Sequence, residues 1–325
     1  MKKRREYVAV LAFLAAIIGI SGCSRQKEEK LTKYDTQFFE LFDTVTSVTG
    51  YARDEKTFQS YVDVFYDELK EYHQLYDIYN DYEGINNIKT INDHAGIEPV
   101  EVDDKIIQML EEAVDIYELT DGNMNVAMGS VLSIWHEYRE AGLKHPEQAQ
   151  LPPQEELEEA AKHMDIRKMV IDPEKKTVYL EDPDMSLDVG AIAKGYAAEM
   201  ASRKVEEAGL KHALISVGGN IRCIGTKPDG QKWVVGVQNP DTTSGERYLH
   251  RLGLDGMSLV TSGTYQRYYT VDGVNYHHII HPELLKPWDR YSSVSILSAD
   301  SGMADALATA VFNMELEDGK KLIEF

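Results

Sequence analysis

In the second half of this chain, strand-like runs follow one another at distances that only hairpins can bridge. Lys168–Ile171 and Thr177–Leu180 are five residues apart, and Ala213–Val217 and Ile221–Thr226 are three apart. A parallel pair needs a crossover of a dozen or more residues, so these neighbours must pair antiparallel. Further strands are expected at Trp233–Gln238, Ser258–Thr261 and Tyr291–Leu297, with helices at Ala191–Ala208 and Met303–Asn313. The first half is more helical. Phe38–Tyr51 reads as a strand pair or one long strand. Thr57–Tyr79 carries apolar residues at spacings of three and four, Asp103 is placed to cap a helix, and further helices are expected at Val126–Tyr138 and Gln154–His163. Helices mixed with hairpin-spaced strands predict an α+β fold with antiparallel-rich sheets, not a doubly wound one.

The chain has 325 residues, enough for a sizeable core, and 43% hydrophobic against 27% charged residues is ordinary for a globular protein. It carries 34 Lys+Arg against 55 Asp+Glu, a formal charge of −21. That balance leaves no broad basic surface and argues against nucleic acid as a partner. An anionic ligand would have to be held by a metal ion or by a few local donors.

Lys2, Lys3, Arg4 and Arg5 precede a 13-residue apolar run, Val8–Ile20, and then Ser21-Gly22-Cys23. This is the pattern of an export signal, and the run is shorter than the roughly 20 residues of a spanning helix. Ile-Ser-Gly-Cys resembles a bacterial lipobox, which implies that Cys23 is diacylated and becomes the mature N-terminus. An ordinary signal peptide with an incidental cysteine is the alternative. On the lipobox reading, residues 1–22 are a lipoprotein signal peptide, 23–34 a lipidated polar tether and 35–325 the folded domain, a membrane lipoprotein on the extracytoplasmic face. Loss of residues 1–22 removes four basic residues and one acidic, leaving 30 against 54 and a charge of −24. Cys223 is the other cysteine, so a Cys-x-x-Cys redox site and a cysteine-based zinc site are both excluded.

Four stretches carry chemistry. In Ser186–Tyr196, Asp188 ends a strand-like run, Gly190 turns the chain and Lys194 falls in the first turn of a helix. A lysine at the positive end of a helix dipole makes sense where an anion binds in front of it, although a solvated lysine also fits. Ser216-Val-Gly-Gly-Asn220 offers close backbone approach or a plain hairpin turn. Thr261–Arg267 leads to Tyr276–Pro282, which holds His277, His278 and His281. On a strand, 277 and 278 point to opposite faces, so they do not chelate one ion together. His278 facing a cleft as an acid/base group is the sharper reading, surface histidines the plainer one. In Gly302–Ala310, Asp305 and Thr309 lie four apart on one helix face. A carboxylate and a hydroxyl among alanines suit a hard, oxygen-preferring cation, Mg²⁺ before transition metals, whereas a helix-start aspartate is the alternative.

Taken together these stretches resemble the ApbE family of FAD:protein FMN transferases. Its markers stand here, in order, as DVGAIAKGYA, SVGGNI, TSGTYQRY, HHIIHP and ADALATA, and the resemblance spans residues 38–325. It implies an ApbE-like, T-fold-like architecture and a Mg²⁺-dependent enzyme that moves FMN from FAD to a Ser or Thr hydroxyl of a target flavoprotein and releases AMP. It also implies site residues. Phe42, Tyr79, Asn123, Met124, Asn125, Asp188, Lys194, His278 and Ile279 would contact FAD, with Tyr79 stacking on one of its rings. The Ala191 carbonyl, Asp305 and Thr309 would hold Mg²⁺, and His278 and Asp305 would be catalytic.

The sequence departs from the family's pattern at four places. Phe42-Asp43-Thr44 replaces the commoner Met-Gly-Thr, Asn125 and His281 stand where many members have Asp, and Leu285-Lys286-Pro287 lacks the usual glycine. The sequence stops at Phe325 on a helix-like Gly-Lys-Lys-Leu-Ile-Glu-Phe, where members often continue through another strand or two. Two rivals use the same cleft: an FAD pyrophosphatase, in which water replaces the protein hydroxyl, and a lipoprotein that only binds flavin.

Overall fold

The computed structural model describes residues 30–241 and 243–324; the signal segment and Cys23 lie outside the described residues. Strand β1 (Thr32–Phe38) pairs antiparallel with β2 (Thr46–Ala52) from Thr32↔Ala52 to Phe38↔Thr46. The strand therefore begins inside the segment read as a tether, because Thr32, Lys33 and Tyr34 already have ladder partners. The strand pair expected within 38–51 is displaced for the same reason. Its connection holds Phe42 and Asp43 at φ 55° and 49°, a conformation non-glycine residues rarely adopt.

Helix α1 (Glu55–Leu75) is capped by Asp54, whose carboxylate accepts from the Thr57 amide, and buries Phe58, Val62, Phe65, Leu69, Tyr72 and Leu75. After short α2 (Ile88–Asp93) and two-residue β3 (Val100–Glu101), α3 (Asp104–Leu119) starts on its expected Asp103 cap. A single turn at Val126–Met128 leads into α4 (Gly129–Lys144), and α5 (Gln154–Ala160) ends in a tighter turn at Ala161–His163. Strands β4 (Met169–Asp172) and β5 (Thr177–Leu180) form the first predicted hairpin, with β3 on the far side of β5. Helix α6 (Ala193–Glu207) then enters the centre of the molecule, followed by β6 (Ala213–Val217) and β7 (Asn220–Ile224).

The remaining strands are β8 (Trp233–Gln238), β9 (Tyr248–Leu254), β10 (Ser258–Gly263), β11 (Tyr268–Val271), β12 (Val274–His277) and β13 (Ser293–Ser298). Helices α7 (Ser301–Phe312) and α8 (Leu316–Ile323) close the chain. The main sheet is antiparallel throughout, in the order β1-β2-β6-β7-β10-β13. The fold is α+β, as the hairpin spacing predicts.

Alternation along β2, β6 and β7 sends one set of side chains, Val48, Ala213 and Ile215 among them, into a core shared with α1, α3 and α6. The other set, including Tyr51, Leu214 and Cys223, packs on the β8–β9 hairpin through Trp233, Val235 and Leu254. A smaller core joins α4 to β11 through Val131, Trp135, Tyr269 and Val271, and so anchors the histidine segment.

Helices α6 and α7 cross closely because the crossing residues are small. A methyl group on Gly195 would lie 2.3 Å from the Ser301 carbonyl oxygen and 2.4 Å from Asp305 Cβ. Below the crossing, fully buried Glu199 accepts from Arg222 Nε and from Arg203 Nε, each at 2.9 Å, and from the Ser301 amide at 3.0 Å. Those bonds fix the start of α7, which Asp300 caps through the Met303 amide. Among the described residues no helix is long and apolar enough to cross a membrane.

Candidate active site

The crossing of α6 and α7 creates an oxygen-rich corner. Asp305 is only 5% exposed, and its Oδ2 accepts from the Gly195 amide at 2.8 Å and faces Lys194 Nζ at 3.5 Å. In a regular helix the Gly195 amide would bond to the Ala191 carbonyl four residues back. Here it turns to the carboxylate instead, and the Ala191 carbonyl accepts no hydrogen bond among the described residues. Thr309 lies one turn along α7 from Asp305. A carboxylate, a free carbonyl and a hydroxyl are all hard oxygen donors, so this corner fits Mg²⁺. Lys194 meets part of the Asp305 charge and adds a cation at the helix start.

Asp188 stands on the loop that leads into α6. Its backbone amide donates to the Val126 carbonyl and its Oδ1 accepts from the Gly190 amide, both at 2.8 Å. Desolvation raises its pKa above the usual carboxylate range, opposed by the Gly190 hydrogen bond and by the charges of His136 and Lys194. Tyr79 is 57% exposed, with its ring centroid 5.4 Å from that of His136. Burial and the Asp188 charge raise the Tyr79 phenol pKa, while Arg139 and Arg267 lower it. Tyr79, Asp188, His136, Arg139 and Arg267 thus share one electrostatic neighbourhood.

The histidines separate as the strand period requires. His277 ends β12, is buried, and its ring meets Phe312 at 5.4 Å. His278 is exposed on the opposite side. Its Nδ1 lies 3.1 Å from the Arg267 carbonyl oxygen, an acceptor only, so the ring proton sits on Nδ1 and Nε2 keeps a free lone pair. The ring has an open edge but stands among protein atoms. Desolvation, with the Arg267 and Lys194 cations, pushes its pKa down to about 4 against the pull of that hydrogen bond. Solvent at the open edge limits the size of this shift, and its direction follows from both causes.

The other expected contacts are placed less simply. Phe42 packs edge-on against His73 at 5.3 Å and donates its amide to His73 Nδ1 at 3.3 Å. The loop that follows it rests on the double glycine: a methyl group on Gly218 (φ 57°) would meet Thr44 Oγ1 at 2.6 Å. The Asn123 carbonyl accepts from Asn313 at 3.3 Å. Asn125 caps the turn at Val126–Met128, accepting from the Ala127 amide at 2.8 Å and donating to the Met164 carbonyl at 3.0 Å. The side chains of Met124 and Ile279 are buried at 1% and 6% exposure, so any contact they make with a ligand in the cleft runs through their backbones. His281 is also buried and accepts the Glu283 amide at 3.1 Å, which gives it a structural task.

Sequence reasoning passed over His136, Arg139 and Gly195. His-Glu-Tyr-Arg-Glu on α4 reads as a solvated helix face, and nothing in the sequence marks Gly195 as the donor to Asp305. Away from the cleft, His163, Asp182 and Asp184 bring three ligand atoms within 4.8 Å of one another. Asp182 is already met by Lys168 at 2.7 Å and His163 at 2.9 Å, which makes the group an ion-paired surface cluster.

Known proteins resemble this chain in sequence and in fold. A profile of the ApbE family matches residues 42–325. The FAD:protein FMN transferase of Klebsiella pneumoniae is 31% identical over 241 residues, which cover 72% of this chain and 70% of that protein. The Treponema pallidum protein of the same name is 34% identical over 250 residues, 73% of this chain and 67% of its own. Among solved structures, an ApbE protein from Thermotoga maritima superposes with a TM-score of 0.78 at 30% identity over 90% of both chains. The Vibrio cholerae flavin transferase ApbE superposes at 0.74 with 24% identity, covering 90% of this chain and 91% of its own, and supports the fold alone. The chain belongs to the ApbE family.

Proposed function

We propose that this protein transfers FMN from FAD to a Ser or Thr hydroxyl of a target flavoprotein and releases AMP, with Mg²⁺ required. The observation that carries the reading is the buried Asp305 carboxylate facing Lys194 where α6 and α7 cross, one turn from Thr309, with Asp188, Tyr79 and His278 in the same electrostatic neighbourhood. The family match and the names of the relatives point to the same substrate.

A pyrophosphate resists attack until its negative charge is balanced. Mg²⁺ held by Asp305, Thr309 and the Ala191 carbonyl would supply that neutralisation. Lys194 adds a fixed positive charge at the same place. His278 is neutral at physiological pH and its free Nε2 accepts the proton of the acceptor hydroxyl. The hydroxyl oxygen forms a bond to the phosphorus on the FMN side, and the bond from that phosphorus to the bridging oxygen breaks. The bridging oxygen leaves with AMP. Asp188 and Tyr79 orient the flavin nucleotide and take no proton.

The same reading makes the mature chain a lipoprotein held at the outer face of the membrane through Cys23. Its support is the basic start, the short apolar run and Ile-Ser-Gly-Cys. A Cys23→Ala form should leave the membrane fraction after export; one that stays would refute the anchor.

Product analysis tests the function. Wild-type protein, FAD, Mg²⁺ and an acceptor peptide bearing Ser or Thr should yield flavinylated peptide and AMP in equal amounts. Free FMN with AMP would make the protein a pyrophosphatase, and unchanged FAD a flavin binder.

A further inference from the structure

Helices α6 and α7 hold each other by a reciprocal pair of bonds. The Gly195 amide of α6 donates to Asp305 Oδ2 of α7 at 2.8 Å, and the Ser301 amide of α7 donates to Glu199 Oε2 of α6 at 3.0 Å. Gly195 and Glu199 are four residues apart, as are Ser301 and Asp305, so both bonds lie on one face of each helix and are spaced by one turn. A single bond would let α7 pivot or slide on α6. Two bonds a turn apart fix its register and its rotation, and with them the places of Asp305 and Thr309 relative to Ala191.

Glu199 is equipped to hold that register. It is fully buried, yet its carboxylate meets two further donors, Arg222 Nε on Oε2 and Arg203 Nε on Oε1, each at 2.9 Å. Arg203 Nη2 continues to Asp300 Oδ2 at 2.7 Å, and Asp300 Oδ1 accepts the Met303 amide as the cap of α7. The carboxylate therefore ties the start of α7 to α6 and, through Arg222 on β7, to the main sheet. Apolar side chains of similar volume often stabilise a core as well as a buried ion pair does. What the charge adds here is a directed bond to one amide of α7. Mg²⁺ is the ion such a register serves, because it requires near-octahedral oxygens at about 2.0–2.1 Å, whereas Ca²⁺ accepts looser sets at about 2.3–2.6 Å.

We propose that Glu199 is a positioning residue for the metal corner: by holding the Ser301 amide it sets the register of α7 in which Asp305, Thr309 and the Ala191 carbonyl suit Mg²⁺. The proposal rests on the metal-dependent reading of that corner. Its test is calorimetric titration of the FAD-loaded protein, without acceptor, with Mg²⁺ and separately with Ca²⁺. Glu199→Gln keeps the shape but leaves one oxygen for the donors that the carboxylate now serves. Arg203→Gln removes the bonds to Glu199 Oε1 and Asp300 from a half-exposed position where folding tolerates the change. Both variants should weaken Mg²⁺ about tenfold, the scale for residues that orient metal ligands, and Ca²⁺ by less than about threefold. Arg203→Lys, which keeps the charge without the fork, should fall between wild type and Arg203→Gln. A purely structural defect lowers the number of sites for both ions and leaves the ratio of their affinities unchanged, so that ratio reads register and not stability. Thermal denaturation gives the folded fraction, and should Glu199→Gln fail to fold, Arg203→Gln decides. In transfer assays the defect of either variant should shrink as Mg²⁺ is raised. Unchanged Mg²⁺ affinity, or equal losses for the two ions, would overturn the positioning role. Failure of wild-type protein to bind Mg²⁺ would instead overturn the metal reading of the corner.

Discussion

The Gly195 amide donates a 2.8 Å hydrogen bond to Asp305 Oδ2, across the line where α6 and α7 cross. That bond aims the carboxylate and, by leaving its helical partner, frees the Ala191 carbonyl. The site's oxygen donors therefore depend on a residue that has no side chain.

Gly195→Ala should show that dependence. The added methyl would sit 2.3 Å from the Ser301 carbonyl and 2.4 Å from Asp305 Cβ, so the helices must part. Overpacking of this kind costs about 1–3 kcal/mol. Chemical denaturation should show the loss, and transfer activity should fall at least tenfold even where the variant is fully folded. Wild-type activity with unchanged stability would mean that the crossing tolerates a side chain.

His278→Ala should lower single-turnover transfer by about 10²–10⁴, the range for removal of a general base, with FAD affinity kept. The pH profile follows from the depressed pKa. With its pKa pushed below the ordinary 6.5 the ring stays neutral to lower pH, so the rate should stay flat through pH 6.5 and fall only below it. A midpoint near the ordinary 6.5 would contradict that environment. His277→Ala should behave differently. Its ring fills space against Phe312, so truncation should lower Tm with little effect on the rate of the folded fraction.

Glu112 gives a stability signature unrelated to catalysis. Desolvation, with the nearby Asp300 charge, raises its pKa to about 7. A raised carboxylate pKa contributes stability that is complete below the unfolded value near 4.3 and is lost as pH rises through about 7. Glu112→Gln keeps the shape and removes that loss. The Tm of the variant relative to wild type should therefore rise between about pH 4.5 and about pH 7 and level off above it. A difference independent of pH would show that Glu112 titrates normally in the folded protein.

Much of this was legible in the sequence, for reasons that particular residues show. Thr177–Leu180, Ala213–Val217 and Trp233–Gln238 lie where their strand-like patterns predict, because each is rich in apolar and β-branched residues. β9 is half polar with an internal glycine, and β11 and β12 are only four residues each, so none of the three carried a clear signal. The period of two alone separates His277 from His278. Lys194 and Asp305 stood out because each sits where its charge needs a reason. The Gly195–Asp305 and Glu199–Ser301 bonds were not legible, because both depend on contacts between distant segments that local periodicity does not record.

The most direct test of the account is a single-turnover assay of wild type and Asp305→Ala with FAD and an acceptor peptide, run across Mg²⁺ concentrations and with a chelator. Wild type should form flavinylated peptide and AMP only with the metal present, and Asp305→Ala should form neither while still binding FAD. Undiminished transfer by Asp305→Ala, or by wild type in excess chelator, would contradict the assignment of this corner as the metal-dependent centre of the reaction.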